Sequence, residues 1–413
     1  MKFSCLTHKS SVQTYIKGPL KIILVVLGMA SFASSFGQAD PTVPMKPKMM
    51  LTGKTCGLLP YLKYGPGIDR LGGAKMTYLD TAIVVQVIDS LKDDYIIQLS
   101  KNHQAFIPKE NIVMTPETKI PAYILTGSWK VSGDDKFDYL AIGLDERLPY
   151  KSIQLIDPAK IVVDIYGATG NTNWITQLKS AKEIKSVSHE QTEDDVFRVT
   201  IDLKHSQQWG YSIKYKNRTL IISIKHQPEH LALKHLKIAV DAGHGGTSSG
   251  AIGVKTNLEE KIFNLQIARE LEKYLRRRGT EVVMTRNADE ELSMTDRTIK
   301  LREANPDLLI SIHHNAAANP AVKGVSTYYR YAGSNALCTS VLDRMLELGL
   351  AEFGKIGSFN FSLNGPTEYP NCLVEVAFLS NEDDEKQITD PIFQKNVAKK
   401  IRKGIIDWTR KTK

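Results

Sequence analysis

The rhythm of apolar and polar positions changes once along this chain of 413 residues. Up to about residue 225 the apolar residues come in short, partly alternating runs cut by Gly, Pro and Asn, which predicts strands. From 236 onward, longer apolar runs alternate with segments whose apolar residues recur every three or four positions. That pattern predicts a mostly parallel sheet covered by helices.

In the first part, Ala82–Ile88, Tyr95–Leu99 and Gln104–Pro108 are strand-like, with turn residues at Tyr64-Gly65-Pro66-Gly67 and Leu71-Gly72-Gly73. They predict a small β barrel over 51–115. Over 123–225 the strands are Tyr139–Leu144, Lys160–Ile165, Phe197–Leu203 and Leu220–Ile224, with no long helical pattern between them. Two small sheets packed as a sandwich are expected. Residues 226–235 contain Pro228 and read as a linker.

In the 236–413 block the clearest helix follows Glu260. Phe263, Ile267, Ala268, Leu271 and Leu275 mark one apolar face, Arg276, Arg277 and Arg278 favour its last turn, and Gly279 suits the cap. A strand over Glu281–Thr285, a helix over Thr295–Ala304 and a helix over Leu337–Phe353 are predicted next. Gly354–Asn371, rich in Gly, Ser, Asn and Pro, reads as a loop bordering the cleft. One amphipathic helix covers the sheet here and no second one is left to plug the site. An open site with basal activity is therefore expected.

Charge and composition add a location. The formal net charge is +9, and part of it sits in Lys2, Lys9, Lys17 and Lys21, ahead of an apolar run from Ile22 to Ala33. This basic, apolar, then small-residue order over 1–39 reads as a secretory signal peptide; its apolar core is short for a membrane span, which sets it against the alternative of an uncleaved anchor. The Pro- and Lys-rich 40–50 stretch reads as a linker. Cys56, Cys338 and Cys372 would remain after cleavage, an odd set that is no disulfide framework. No basic motif interleaved with aromatics argues for nucleic acid. An exported chain, periplasmic or wall-associated, is expected, with no stable membrane insertion of the mature form.

Three strand-like runs of the last block each carry candidate chemistry: Lys237–Gly246 with His244, Leu308–Asn315 with His313, and Cys372–Phe378 with Glu375. Open α/β sheets bind ligands at the carboxyl ends of their strands. A catalytic zinc takes three His or carboxylate ligands and leaves one position open. His244, Glu260 and His313 are the candidates, with Glu375 a second carboxylate able to take a proton from the attacking water. Glu375 is the least ordinary of the four, because a carboxylate in an apolar strand is costly without a partner. Successive strand residues face opposite ways, so His313 and His314 should not both ligate; His314 is left as a substrate contact.

The stretches Val240–Gly246, Glu260-Lys261, Met284-Thr285-Arg286, Ser311–Ala316, Gly324–Tyr329 and Leu373–Asn381 together resemble the zinc-dependent N-acetylmuramoyl-L-alanine amidases of the Amidase_3 family, over about 175 residues. The resemblance implies Zn2+ on His244, Glu260 and His313, Glu375 as base, and peptidoglycan as substrate, cut between the lactyl group of N-acetylmuramic acid and L-alanine. It selects Glu260 over Glu259, because the family glutamate directly precedes the lysine. Ala242 and Ala377 depart from the family's usual proline and glycine, and His314 from a usually small residue. The 51–115 block resembles bacterial SH3-like domains, which implies binding of peptides or cell-wall material, with a structural spacer as the alternative; the 123–225 block resembles the AMIN domain, which implies placement on peptidoglycan. Protein activators are left open. Two rivals are an inactive wall-binding protein and a zinc peptidase acting within the stem peptide. All proposed chemistry falls after Leu236, so a chain starting there is expected to retain activity on small soluble fragments.

Overall fold

In the computed structural model the described residues are 51–67, 74–116 and 119–412. The stretch read as a leader at 1–39, the 40–50 stretch and the turn expected at Leu71-Gly72-Gly73 lie outside them. Seven strands between Leu51 and Met114 pair antiparallel in one sheet. Alternation drives their burial: Val85 and Val87 are buried while Gln86 between them is only partly so. Residues from Ile124 to Lys225 form a four-stranded and a six-stranded sheet. Trp129 from one sheet meets Phe197 from the other edge-on, centroids 6.0 Å apart. The two N-terminal blocks share one apolar core, from Leu62 and Ile97 to Val163 and Ile222.

The last block holds β1 (Lys237–Ala242), α1 (Glu260–Arg276), β2 (Glu281–Met284), α2 (Met294–Ala304), β3 (Leu308–Asn315), β4 (Val325–Tyr328), α3 (Asn335–Leu346), β5 (Glu352–Ile356), β6 (Asn371–Phe378), α4 (Glu382–Ile388) and α5 (Pro391–Lys411). The sheet order is β2-β1-β3-β6-β4-β5. β2, β1, β3 and β6 run parallel, β4 is antiparallel to β6, and β5 is parallel to β4. The α1 face expected from the sequence is buried: Phe263, Ile267, Ala268, Leu271 and Leu275 all face the core. α2 is capped by Ser293, whose side chain accepts from the amide of Asp296, the usual N-cap hydrogen bond.

Two expectations are corrected. The helix expected to Phe353 stops at Leu346, because Gly349 takes φ +80°, a conformation that suits glycine and does not continue a helix. The stretch expected to be a loop bordering the cleft begins within β5, at the sheet edge. The rest of it leads into the start of β6, at the end of the sheet away from Glu375, so it does not border the candidate site.

The blocks are also not joined by a free linker. Leu231 and Leu233, from the 226–235 segment, and Trp209 lie in the same apolar core as Ile238, Ile310 and Trp408. The Trp209 and Trp408 rings are 4.9 Å apart, and Trp408 Nε1 donates to Gln207 Oε1 at 3.0 Å. Lys225 Nζ donates to Pro306 O at 2.6 Å, Tyr211 N to Thr367 O at 2.8 Å, and Arg330 to Met76 O at 2.9 Å. Pro306 precedes β3, Thr367 precedes β6 and Arg330 follows the antiparallel β4. The N-terminal blocks therefore grip the ends of the sheet where β3 and β6 begin.

Candidate metal centre

The opposite ends of the strands carry the chemistry. β1 leads into Gly243-His244-Gly245-Gly246, where His244 takes φ +61°. A non-glycine residue there is uncommon and is held by its surroundings. Two buried guanidiniums hold it. Arg286, 0% exposed, donates to Ala242 O (2.8 Å), Gly243 O (3.0 Å) and Lys261 O (2.8 Å). Arg297, 1% exposed, donates to Ala242 O (2.9 Å) and His244 O (2.5 Å), and pairs with Asp241 at 2.6 Å. Burial alone would raise the Asp241 carboxyl; the Arg297 charge holds it below its ordinary value.

β3 delivers His313, and α1 begins on Glu260, which is 3% exposed. His313 Nδ1 lies 3.0 Å from Glu260 Oε1, and His244 Nε2 lies 3.2 Å from Glu260 Oε2. One atom from each of the three residues falls within 4.8 Å of the others, a spacing that fits a shared metal ion. The other nitrogen of His244, Nδ1, lies 2.9 Å from Ser248 Oγ, which orients the ring and leaves Nε2 for the metal. The surroundings are shaped around these side chains. A Cβ on Gly243 would stand 2.2 Å from the His313 ring, and one on Gly250 would stand 2.3 Å from Glu260 Oε2.

Burial would raise the Glu260 carboxyl, but the hydrogen bonds from His244 and His313 and their charge take it well below the usual range. For His313 burial works toward the neutral form, yet Glu260, with Glu375 and Asp241 behind it, pushes the ring up to about 9.

Glu375 is 6% exposed and sits in register with His313 across β3 and β6. The pairing then slips: Asn315 stands opposite Phe378. That bulge holds Ala377, the residue that departs from the family's usual glycine. Bulges re-aim neighbouring side chains.

His314 is not placed as a substrate contact. Its ring is 2% exposed and meets Phe263 and Asn264 of α1. Glu259, the neighbour of Glu260, is half-buried and pairs with Lys261 at 3.0 Å. The sequence reading missed Asn264, Ser248, Asp241 and Arg297. Arg297 had a signal, since it lies four residues before the buried Leu301 on α2, a core position for a charged residue. Ser248 had none.

Residues 238–407 match the family of N-acetylmuramoyl-L-alanine amidases, and residues 129–224 match the AMIN domain. A germination-specific N-acetylmuramoyl-L-alanine amidase of Bacillus subtilis is 31% identical over 201 residues, covering 44% of this chain and 83% of that protein. The chain belongs to the N-acetylmuramoyl-L-alanine amidase family. The matched span of this family runs from β1 into α5 and contains His244, Glu260, His313 and Glu375. Two further relatives extend the comparison. The N-acetylmuramoyl-L-alanine amidase AmiC of Neisseria meningitidis is 26% identical over 348 residues, 62% of this chain and 83% of that protein. A probable cell wall amidase, LytH, of Staphylococcus saprophyticus is 29% identical over 187 residues, covering 45% of this chain. The chain spans 62% of the length of that staphylococcal relative.

Proposed function

We propose that this chain is an exported, zinc-dependent peptidoglycan amidase that hydrolyses the bond between N-acetylmuramic acid and the L-alanine of the stem peptide. The observation that carries this is the convergence of His244, Glu260 and His313 within 4.8 Å, with Glu375 in register beside His313. His244 and His313 supply one nitrogen each and Glu260 a carboxylate. Zinc bound there supplies Lewis acidity, polarising the amide carbonyl and lowering the pKa of the attacking water.

Glu375 accepts the proton of that water and returns it to the alanine nitrogen as the C–N bond breaks. The hydroxyl stays on the lactyl carbon and the stem peptide leaves as a free amine. Burial of Glu375 among apolar strand residues keeps bulk water from competing for the proton. The β blocks before residue 226, read as SH3-like and AMIN modules, hold the catalytic block on the wall by the end opposite the metal centre. The relatives named above as cell-wall and muramoyl-alanine amidases support this substrate. Among the described residues no helix is long and apolar enough to cross a membrane.

The roles separate by mutation. Glu375→Ala should bind zinc and lose turnover by about 100-fold or more, the contribution of a positioned proton-transfer group. His313→Ala should lose both zinc and turnover. Normal zinc content in His313→Ala, or zinc loss in Glu375→Ala, would reverse the assignment.

A further inference from the structure

We propose that Asn264 and His314 are positioning residues that aim the Glu260 carboxylate at the metal. The inference rests on the metal reading above and extends it to two residues that touch neither metal nor substrate.

Glu260 is fixed by more than the two histidines facing it. Its Oε2 accepts from Ala251 N at 2.8 Å. Its Oε1 accepts from His314 N at 3.0 Å and from Asn264 Nδ2 at 2.9 Å. Asn264, 0% exposed and one turn along α1, also donates from Nδ2 to Gly243 O at 3.1 Å. Both partners of that amide nitrogen are acceptors, a carboxylate and a main-chain carbonyl. The Asn264 side chain therefore has one workable orientation, and flipping it would set Oδ1 against two oxygens.

His314 enforces that orientation. Its Nδ1 lies 2.8 Å from Asn264 Oδ1, so Nδ1 carries the hydrogen and donates. The other nitrogen, Nε2, is buried with no hydrogen-bond partner among the described residues. Unpartnered buried nitrogens are rare in native proteins. Here the histidine leaves one nitrogen unsatisfied while placing a donor beside Asn264. An apolar side chain would remove that unsatisfied atom and the donor together. The chain of contacts from His314 through Asn264 to Glu260 is the outer-shell support that orients a metal ligand.

The test uses the full chain and zinc alone, with affinity measured by competition against a chromogenic chelator. Cobalt substitution reports ligand geometry from its visible absorption. His314→Phe keeps the ring volume without the donor, and Asn264→Leu removes all three amide contacts. Each should weaken zinc binding about 10- to 100-fold, the usual effect of losing an outer-shell partner, and should alter the cobalt spectrum. His314→Asn places an amide donor near the Nδ1 position and should recover most of the affinity. Turnover of the variants at limiting zinc should fall with occupancy and rise as zinc is added. A purely structural role would lower the melting temperature of the metal-free protein and leave zinc affinity unchanged. Zinc affinity within threefold of wild type in either folded variant overturns the proposal. Absence of zinc binding by the wild-type protein would instead overturn the metal reading itself.

Discussion

Replacing Trp209 by alanine should destabilise the catalytic block, although Trp209 lies outside it in sequence. The ring is 1% exposed, stacks at a tilt 4.9 Å from Trp408, and shares a core with Leu233, Leu236 and Ile238. An aromatic of this size buries about 150–250 Å². At about 25 cal/mol per Å² that is about 4–6 kcal/mol as an upper estimate. Measured aromatic-to-alanine changes in cores cost about 3–5 kcal/mol, and the latter range is the expectation here. Urea unfolding followed by circular dichroism, together with the temperature at which turnover is lost, reads it out. Trp129→Ala is the control, because Trp129 belongs to the other core. It should lower stability without exposing Trp408. A Trp209→Ala shift below about 1 kcal/mol would refute the claim that the middle block completes the catalytic core, since ordinary surface substitutions fall within about 0.5 kcal/mol. The same reasoning revises the expectation for a chain starting at Leu236. It would lose Trp209, Leu231 and Leu233 and bare Trp408, so low stability is expected even though every proposed catalytic residue is present.

Gly243→Ala should abolish metal binding with the ligands untouched, since its Cβ would stand 2.2 Å from the His313 ring; zinc content of the folded variant checks this, and a full complement of zinc would contradict it. Arg297→Leu leaves Asp241 buried without its cation, which should cost about 3–5 kcal/mol and loosen the His244 turn; denaturant unfolding and chelator competition measure the two effects. The purified full-length protein should cleave a soluble muropeptide without a partner, because His244 and His313 keep 30% and 18% of their side chains accessible; activity appearing only on addition of a partner protein would contradict the open site.

The sequence carried the parts of the fold in which one residue pattern has one physical meaning. The α1 face was legible because Phe263, Ile267 and Leu271 repeat at helical spacing. The three strands were legible from their long apolar runs, but their ends were not: Glu375 lies inside β6, which continues through Val376, Ala377 and Phe378, and β3 continues past His313 to Asn315. β5 was not. Its five residues, Glu352–Ile356, are exposed or half-buried and include Gly354 at φ +122°, so the edge strand was divided between the end of an expected helix and the start of an expected loop. Trp209 was not legible as a core residue, because its neighbours Gln207 and Gln208 are polar and the partner helix lies about 200 residues away. Tertiary packing overrides local pattern at such junctions. The support of the metal centre by Arg286 and Asn264 was hidden for a related reason: each acts through main-chain carbonyls or through another side chain, and no spacing along the chain encodes that; for Arg297 the helical spacing from Leu301 signals burial but not the carbonyls it holds.

The central claim is the bond that is cut. Purified peptidoglycan should be digested with the full-length enzyme, with and without zinc after chelator treatment, and the soluble products weighed by mass spectrometry. The account predicts intact stem peptides with a free L-alanine amine and glycan chains that keep their lactyl groups, formed only when zinc is present and absent for Glu375→Ala. Stem peptides cut internally, or the same products in metal-free protein, would contradict it.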